Sequence, residues 1–320
     1  IEHLKYIDVV ISNKLPNQWQ IILNGLKIVS IVIDKIDKEY SFKDISIDYQ
    51  YKDYDSLFIG ENHAICNNSN KEYYFRGIFE LITLLEWDSN FFGYPVAFLS
   101  CKHLTENILY RTNGFIRKEK IRLVEYLCNC HDKRSVKLAE KNNYGFKDIR
   151  LTFVKLLEKN TVEVNLDSNM DFGLAEEQHI PKLREIGRDI YLYSRYSFDD
   201  NFNKSKVREF YMEWVEKAVL GKFDDECFAL FINQEPIAFC AIKYFANTNA
   251  RIGLVGVAEN HTGKGVGKKL LQSVLDTLYK KGVKEVSVVT QGRNYGAQRL
   301  YQKVGFVTQS TELWYHKWVY

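Results

Sequence analysis

The feature that most constrains the fold lies near residue 260. A β-branched run, Ala250 to Val257, enters Ala258-Glu259-Asn260-His261-Thr262-Gly263-Lys264-Gly265-Val266-Gly267-Lys268. A stretch of helical spacing follows and stops at Gly282. Three alternating glycines between a strand and a helix let the backbone approach a ligand closely. Successive N–H groups there can point inward as an anion nest. The helix adds its positive dipole end and its unsatisfied N–H groups. Physically this is a cradle for a diphosphate, although Gly-rich strand–helix junctions also serve as plain turns.

Two other nucleotide loops are excluded. A P-loop needs a hydroxyl after Gly-Lys, and Gly267-Lys268 is followed by Lys269. A dinucleotide fingerprint needs a third glycine and an early βαβ unit, and several strands of antiparallel type precede this loop. Charge supports an anion. The 320 residues carry a net +3, yet Glu259–Lys303 alone holds nine basic and three acidic residues. No aromatic-interleaved basic stripe accompanies them, so a small polyanion fits better than nucleic acid.

Composition excludes disorder, with 46% hydrophobic residues and little net charge. No apolar run nears the roughly 18–20 residues that cross a bilayer. The densest, Ile28 to Ile33, stops at Asp34. The six cysteines show no Cys-x-x-Cys pair, and Cys128-Asn129-Cys130-His131 lacks a second ligand pair, so scattered reduced thiols and no metal are expected. No signal peptide is visible, which makes the cytoplasm the default expectation.

Three regions are expected: 1–78, of open role; 79–165; and 171–320. The first alternates short β-branched runs such as Trp19–Leu23 and Ile28–Ile33, and Asn67–Asn70 reads as a boundary loop. In the second, Glu86–Pro95 reads as a strand end and turn, Ser135–Glu140 as a short helix, and Ile149–Val154 as a strand. The polar stretch 159–169 reads as a linker. In the third, helices are expected at Glu176–Ile190 and Ser205–Leu220, with Ser205 as N-cap. Strands follow at Cys227–Ile232, Ile237–Tyr244 and Ala250–Val257. Then come helix Lys264–Lys281, strand Glu285–Thr290, helix Asn294–Lys303 and strand Glu312–Val319. An internal echo pairs Gly305-Phe306 with Gly145-Phe146, which sets Tyr301 against Lys141.

At Thr262-Gly263-Lys264-Gly265-Val266-Gly267 the chain resembles the acetyl-CoA motif Gln/Arg-x-x-Gly-x-Gly/Ala of the GNAT (Gcn5-related N-acetyltransferase) superfamily, with Thr262 where Gln or Arg is usual. Asn294-x-x-Ala297-x-x-Leu300-Tyr301-x-x-x-Gly305-Phe306 follows in the expected order. Glu86-Trp87-Asp88-Ser89-Asn90-Phe91-Phe92-Gly93 resembles the opening of the dTDP-fucosamine acetyltransferase branch. So do Tyr193-Ser194-Arg195-Tyr196 and Thr290-Gln291-Gly292-Arg293-Asn294. The resemblance covers about residues 80–320 and implies an α/β fold with a mixed sheet. It places a GNAT fold in the C-terminal half, a degenerate GNAT-like half before it, and a small extra α/β region at the N-terminus.

The resemblance also implies a reaction. Acetyl-CoA would be the co-substrate, and the acceptor a dTDP-4-amino-4,6-dideoxyhexose. Val255 and Val257 would lie along the cofactor's arm, with the N–H near Val257 polarising the carbonyl. Gly263, Lys264, Gly265, Val266, Gly267 and Lys268 would hold the pyrophosphate, with Asn294 and Ala297 beside the arm. Tyr301 would protonate the leaving sulfur, a task suited to a group with an ordinary pKa near 10. Tyr193, Ser194, Arg195 and Tyr196 would meet the sugar, and the amine's base would be His261 or a water chain. The expected partner is a small nucleotide sugar, with no nucleic acid and no membrane, and a homodimer is left open. The competing functions are a GNAT acting on protein N-termini or another small amine, and an acyl-CoA-binding module without catalysis.

Overall fold

The computed structural model describes residues 7–15, 18–23, 26–32, 56–59, 64–67, 72–77, 80–101, 103–158, 166–245 and 248–320. Residues 68–70 of the expected boundary loop and 159–165 of the expected linker lie outside them. The chain divides into two compact units, residues 1–146 with 315–320, and residues 147–314.

The first unit opens with six strands, β1 (Ile7–Leu15), β2 (Gln18–Leu23), β3 (Leu26–Val32), β4 (Ser56–Ile59), β5 (Ala64–Asn67) and β6 (Glu72–Gly77). Five of them form a sheet in the order β3-β2-β1-β6-β5. Then come β7 (Glu80–Leu84), α1 (Glu86–Phe92), β8 (Val96–Ser100), α2 (Glu106–Lys118), β9 (Leu123–Asn129), α3 (Lys133–Lys141) and the start of β10 (Gly145–Leu156). β7 pairs antiparallel with β8, and β8 pairs parallel with β9 from Val96↔Leu123 to Leu99↔Tyr126. The expected turn at Glu86–Pro95 is instead helix α1. Its acids Glu86 and Asp88 suit the positive helix end, and Gly93 at φ 82° closes it with its N–H on Ser89 O. The side chain of Ser89 then receives Val96 N–H at 2.9 Å, which joins helix to strand.

The second unit holds most of β10, then β11 (Met170–Leu174), a 3-10 turn (Glu177–His179), α4 (Ile180–Ile190), α5 (Arg195–Phe198) and α6 (Lys204–Val219). β12 (Glu226–Ile232), β13 (Glu235–Phe245), β14 (Asn249–Val257), α7 (Val266–Lys280), β15 (Glu285–Gln291), α8 (Tyr295–Lys303) and most of β16 (Val307–Trp318) complete it. Its strands run in the order β11-β12-β13-β14-β15-β10-β16. The sheet is mixed: β14 and β15 are parallel, and the neighbours on either side are antiparallel. The α6 cap is Asn203 rather than Ser205, because the Asn203 side chain accepts from Ser205 N and Lys206 N. The last helical turn of α7 ends as expected, with Gly282 at φ 86°.

The internal echo is present, in a different register. Tyr144 N donates to Ala139 O at 3.0 Å as Phe306 N donates to Tyr301 O at 3.0 Å. Asn143 at φ 64° matches Gly305 at φ 89°. Tyr301 therefore corresponds to Ala139, not to Lys141. The Gly-Phe match misleads because Asn also tolerates the left-handed conformation that the turn requires.

Candidate active site

The site begins with a fault in the sheet. On β13 and β14, Cys240 pairs with Val255 and Ile242 with Ile252, so β14 spends one residue more than its partner. This is a β-bulge at Gly253–Leu254. Both neighbouring glycines are needed for space. A Cβ on Gly253 would run into Asp224 Oδ1, and one on Gly256 would lie 2.5 Å from Ile190 Cδ1.

The bulge coincides with a parting of strands. The parallel ladder runs from Asn249↔Glu285 to Ile252↔Val288 and, among the described residues, ends there, although β14 continues to Val257 and β15 to Gln291. Ala258 N donates to Ile237 O at 2.8 Å. Antiparallel alternation then turns Gly256 toward β13 and leaves the N–H and C=O of Val255 and Val257 facing the gap. Val255 O is reached there by the hydroxyl of Tyr191 at 3.2 Å. Two of the expected arm-binding residues thus present backbone groups to an open strand edge.

The loop after β14 leads into α7 through two glycines with open space around them. A 3-10 turn, Glu259–His261, carries the chain into Thr262. Gly263 and Gly265 follow at φ 74° and 80°, a conformation that glycine adopts without strain. Gly265 precedes α7 without any side-chain cap, and no acid occupies the first turn. The N–H groups of a 15-residue helix are therefore left pointing outward. Lys264 and Lys268 are exposed and form no ion pair among the described residues. Lys269 is instead held by Asp167 at 2.5 Å. Val266 is buried, so only its backbone faces the loop. Gly267 lets α7 settle on α8, since a Cβ there would lie 3.1 Å from Leu300 Cδ2. His261 is half-buried, with its N–H on Ala258 O.

Tyr301 sits on the inner face of α8, 5% exposed, with its ring 5.9 Å from those of Phe153 and Phe306. Val255, Val257 and Leu300 pack on the same cluster. Burial raises its hydroxyl well above the ordinary tyrosine value, with Cys240 adding to the shift. It stays protonated at neutral pH. Asn294 caps α8 by accepting from Ala297 N at 3.1 Å, so its Oδ1 is engaged in the fold.

The four residues after α4 divide. Ser194 is buried and caps α5, its Oγ accepting from Ser197 N at 3.2 Å. Tyr196 is buried among Phe202 and Phe210. Both are committed to shaping the loop. Tyr193 is 53% exposed. Arg195 lies between the rings of Tyr196 and Trp314, its Cζ 4.2 Å from each centroid, and donates to Tyr196 Oη at 2.6 Å.

Beside it stands a group the sequence reading did not single out. Arg293 lies 3.9 Å over the ring of Phe198, which is 54% exposed. Its Nη2 donates to Lys147 O at 2.9 Å and lies 3.6 Å from the carboxylate of Asp148. Asp148 is buried, and desolvation pushes its carboxyl up to about 6 against the pull of Arg293, Ile149 N–H and Arg195. Gly292 makes this turn lie flat, because a Cβ there would be 2.7 Å from Ile149 Cβ. Tyr191 was also missed, because nothing in the spacing separates it from Tyr193.

Residues 188–306 match the family described as "Acetyltransferase (GNAT) family". The dTDP-fucosamine acetyltransferase of Escherichia coli O6:H1 is 31% identical over 155 residues, 48% of this chain and 66% of that protein. The spore coat polysaccharide biosynthesis protein SpsD of Bacillus subtilis is 24% identical over 46% of this chain and 50% of its own length. The chain thus spans 66% and 50% of the lengths of these two relatives. Among solved structures, a GCN5-related N-acetyltransferase from Sphaerobacter thermophilus superposes with a TM-score of 0.54 at 13% identity, over 76% of this chain and 77% of that one. Among the described residues, no helix is long and apolar enough to cross a membrane. Residues 188–306, which contain the parted strands, the glycine loop and Tyr301, are a GNAT acetyltransferase domain.

Proposed function

We propose that this chain transfers an acetyl group from acetyl-CoA to the amine of a nucleotide-linked amino-deoxy sugar, a dTDP-4-amino-4,6-dideoxyhexose. The observation that carries the reading is the parting of β14 from β15 at Ile252↔Val288, with Tyr301 packed against the same stretch of β14. The relatives named for dTDP-fucosamine acetylation and spore coat polysaccharide biosynthesis support the choice of a sugar.

The residues present suit acetyl-CoA. Gly263 and Gly265 leave open space where side chains would otherwise stand. The uncapped end of α7, with Lys264 and Lys268, matches a pyrophosphate. Val255 and Val257 offer the amides of the pantetheine arm a strand edge past the end of the β14–β15 ladder, with only the Tyr191 hydroxyl on Val255 O to displace. Acetyl-CoA itself supplies the activated thioester. The Val257 N–H would stabilise negative charge on the carbonyl oxygen while the neutral amine attacks. Tyr301 would give its proton to the sulfur as the C–S bond breaks, and the proton shed by the new amide nitrogen restores the phenol. Tyr193 and Arg195 are the sugar contacts in this reading, with Ser194 and Tyr196 holding their loop.

The test is thiol release from acetyl-CoA with a panel of dTDP-4-amino sugars and, in parallel, N-terminal peptides. Release with the sugars alone is expected. Release with peptides alone would discard the sugar reading. Tyr301→Phe should lower turnover by about 10²–10⁴-fold, the usual contribution of a positioned acid, and leave acetyl-CoA affinity unchanged. An unchanged turnover would remove Tyr301 from the mechanism.

A further inference from the structure

We infer that Tyr191 is the positioning partner of Tyr301, meeting it in the gap between β14 and β15 and stabilising it once its proton has gone to sulfur. The inference rests on Tyr301 being the acid. Tyr191 follows the last residue of α4, Ile190, whose Cδ1 overlies Gly256. It therefore reaches β14 from the face that α4 covers, while Tyr301 reaches the same stretch from α8. The face alternation is explicit, because Gly256 pairs with Phe239 on the α4 side and Val255 pairs with Cys240 in the cluster that holds Tyr301.

The geometry of Tyr191 is fixed at both ends. Its ring stacks on Tyr211, with centroids 4.3 Å apart and planes 19° apart. Its hydroxyl donates to Val255 O at 3.2 Å, the carbonyl that faces the gap. Burial raises the Tyr191 hydroxyl well above its ordinary value, and the charge of ionised Tyr301 is the next cause. In the acid reading Tyr301 is the group that gives up its proton, and Tyr191 is already placed as a donor. Val255 O is also where an arm amide would bind. Once an arriving amide takes that carbonyl, the Tyr191 hydroxyl is released to face the Tyr301 oxygen. In the acetyl transfer the amine nitrogen gains the C–N bond, the C–S bond breaks, and the Tyr301 proton goes to sulfur. The phenolate left behind accepts a hydrogen bond from Tyr191 until the amide's proton returns to it.

A double-mutant cycle with acetyl-CoA and dTDP-4-amino-4,6-dideoxygalactose tests this. Tyr191→Phe keeps the ring on Tyr211 and removes one hydroxyl. Its turnover should fall by about 10–100-fold, the range for a hydrogen bond to a charged group, with KM for acetyl-CoA within twofold. In Tyr301→Phe the same substitution should cost less than threefold, because no phenolate forms. Two full losses that multiply would overturn the pairing and leave the acid reading intact. So would a Tyr191→Phe enzyme at full turnover beside a crippled Tyr301→Phe. A Tyr301→Phe enzyme at full turnover would overturn the acid reading and the pairing with it. Should Tyr191→Phe melt early, 3-fluorotyrosine at position 191 keeps the ring and gives a stronger donor. Turnover should then rise, and an unchanged or lower value overturns the inference.

Discussion

Gly256→Ala places a methyl group where the fold has no room. The new carbon would stand 2.5 Å from Ile190 Cδ1 and 2.9 Å from Phe239 Cζ, with Phe239 Cε1 closer still. Phe239 is fully buried, and Ile190 ends the helix that carries the chain to Tyr191. Neither neighbour is the free end of a surface side chain. Overpacking of this kind costs about 1–3 kcal/mol, and two blocking side chains from two elements put this site at about 3. The lower chain entropy of Ala in the unfolded state offsets about 0.4–1 kcal/mol. A net loss of about 2 kcal/mol corresponds to about 4–8 °C in Tm for a domain of this size. Thermal and urea melts followed by circular dichroism measure it. The variant should also lose turnover, since β14 can relieve the clash only by moving its open edge. Phe239→Leu, added to Gly256→Ala, should recover part of the lost stability. A Gly256→Ala chain as stable as the parent would refute the reasoning, because the only compensation is smaller than the clash.

Two further outcomes concern Gly265 and Asp148. Gly265→Ala meets no neighbour within 4 Å, yet it forces an L-residue to φ 80°, a strain of about 1–2 kcal/mol. Calorimetric titration should show weaker acetyl-CoA binding with Tm lowered by only a few degrees, and an unaltered Kd would remove the loop from the binding site. Asp148 has a folded pKa of about 6, above the unfolded 3.8, so the folded state holds its proton more tightly. The stability tied to that proton is present below about pH 4 and is lost as pH rises through 6, by about 3 kcal/mol at most. Melts of Asp148→Asn and the parent at pH 5 and 7.5 should show the variant gaining on the parent at the higher pH. A constant difference would contradict the raised pKa.

The sequence made the second unit readable because its signals are local. The three glycines around the start of α7, the β-branched run of β14 and the Gly282 stop each fix backbone within a few residues. Helix α1 was hidden because Glu86-Trp87-Asp88-Ser89-Asn90 mixes turn-forming residues with acids, and what decides it is Val96 N–H finding the Ser89 hydroxyl seven residues away. The bulge was hidden for a similar reason. Gly253 and Gly256 look like weak points in a strand until Asp224, Phe239 and Ile190 fill the space their side chains would need. Ser194 and Tyr196 belong to a motif, and a motif cannot distinguish a residue that meets a substrate from one that shapes the loop presenting it.

The repeat of element order makes that distinction concrete. In the first unit, antiparallel β7–β8, helix α2, parallel β9 and helix α3 follow one another as β13–β14, α7, β15 and α8 do in the second. The helix after the first strand of each parallel pair starts differently. Thr105 caps α2, its side chain accepting from Ile108 N, and Glu106 occupies the first turn. At α7 the same position is Gly265 at φ 80°, with no cap and no acid. A cap and an anion compete for the same N–H groups, so a helix end satisfied by its own threonine has little left for a phosphate. By the same comparison, Tyr301 stands where α3 has the small, buried Ala139. One arrangement of strands and helices thus carries a capped helix end and Ala139 in one unit, and an uncapped helix end and Tyr301 in the other. What separates them is an open helix end and a hydroxyl, not the path of the backbone.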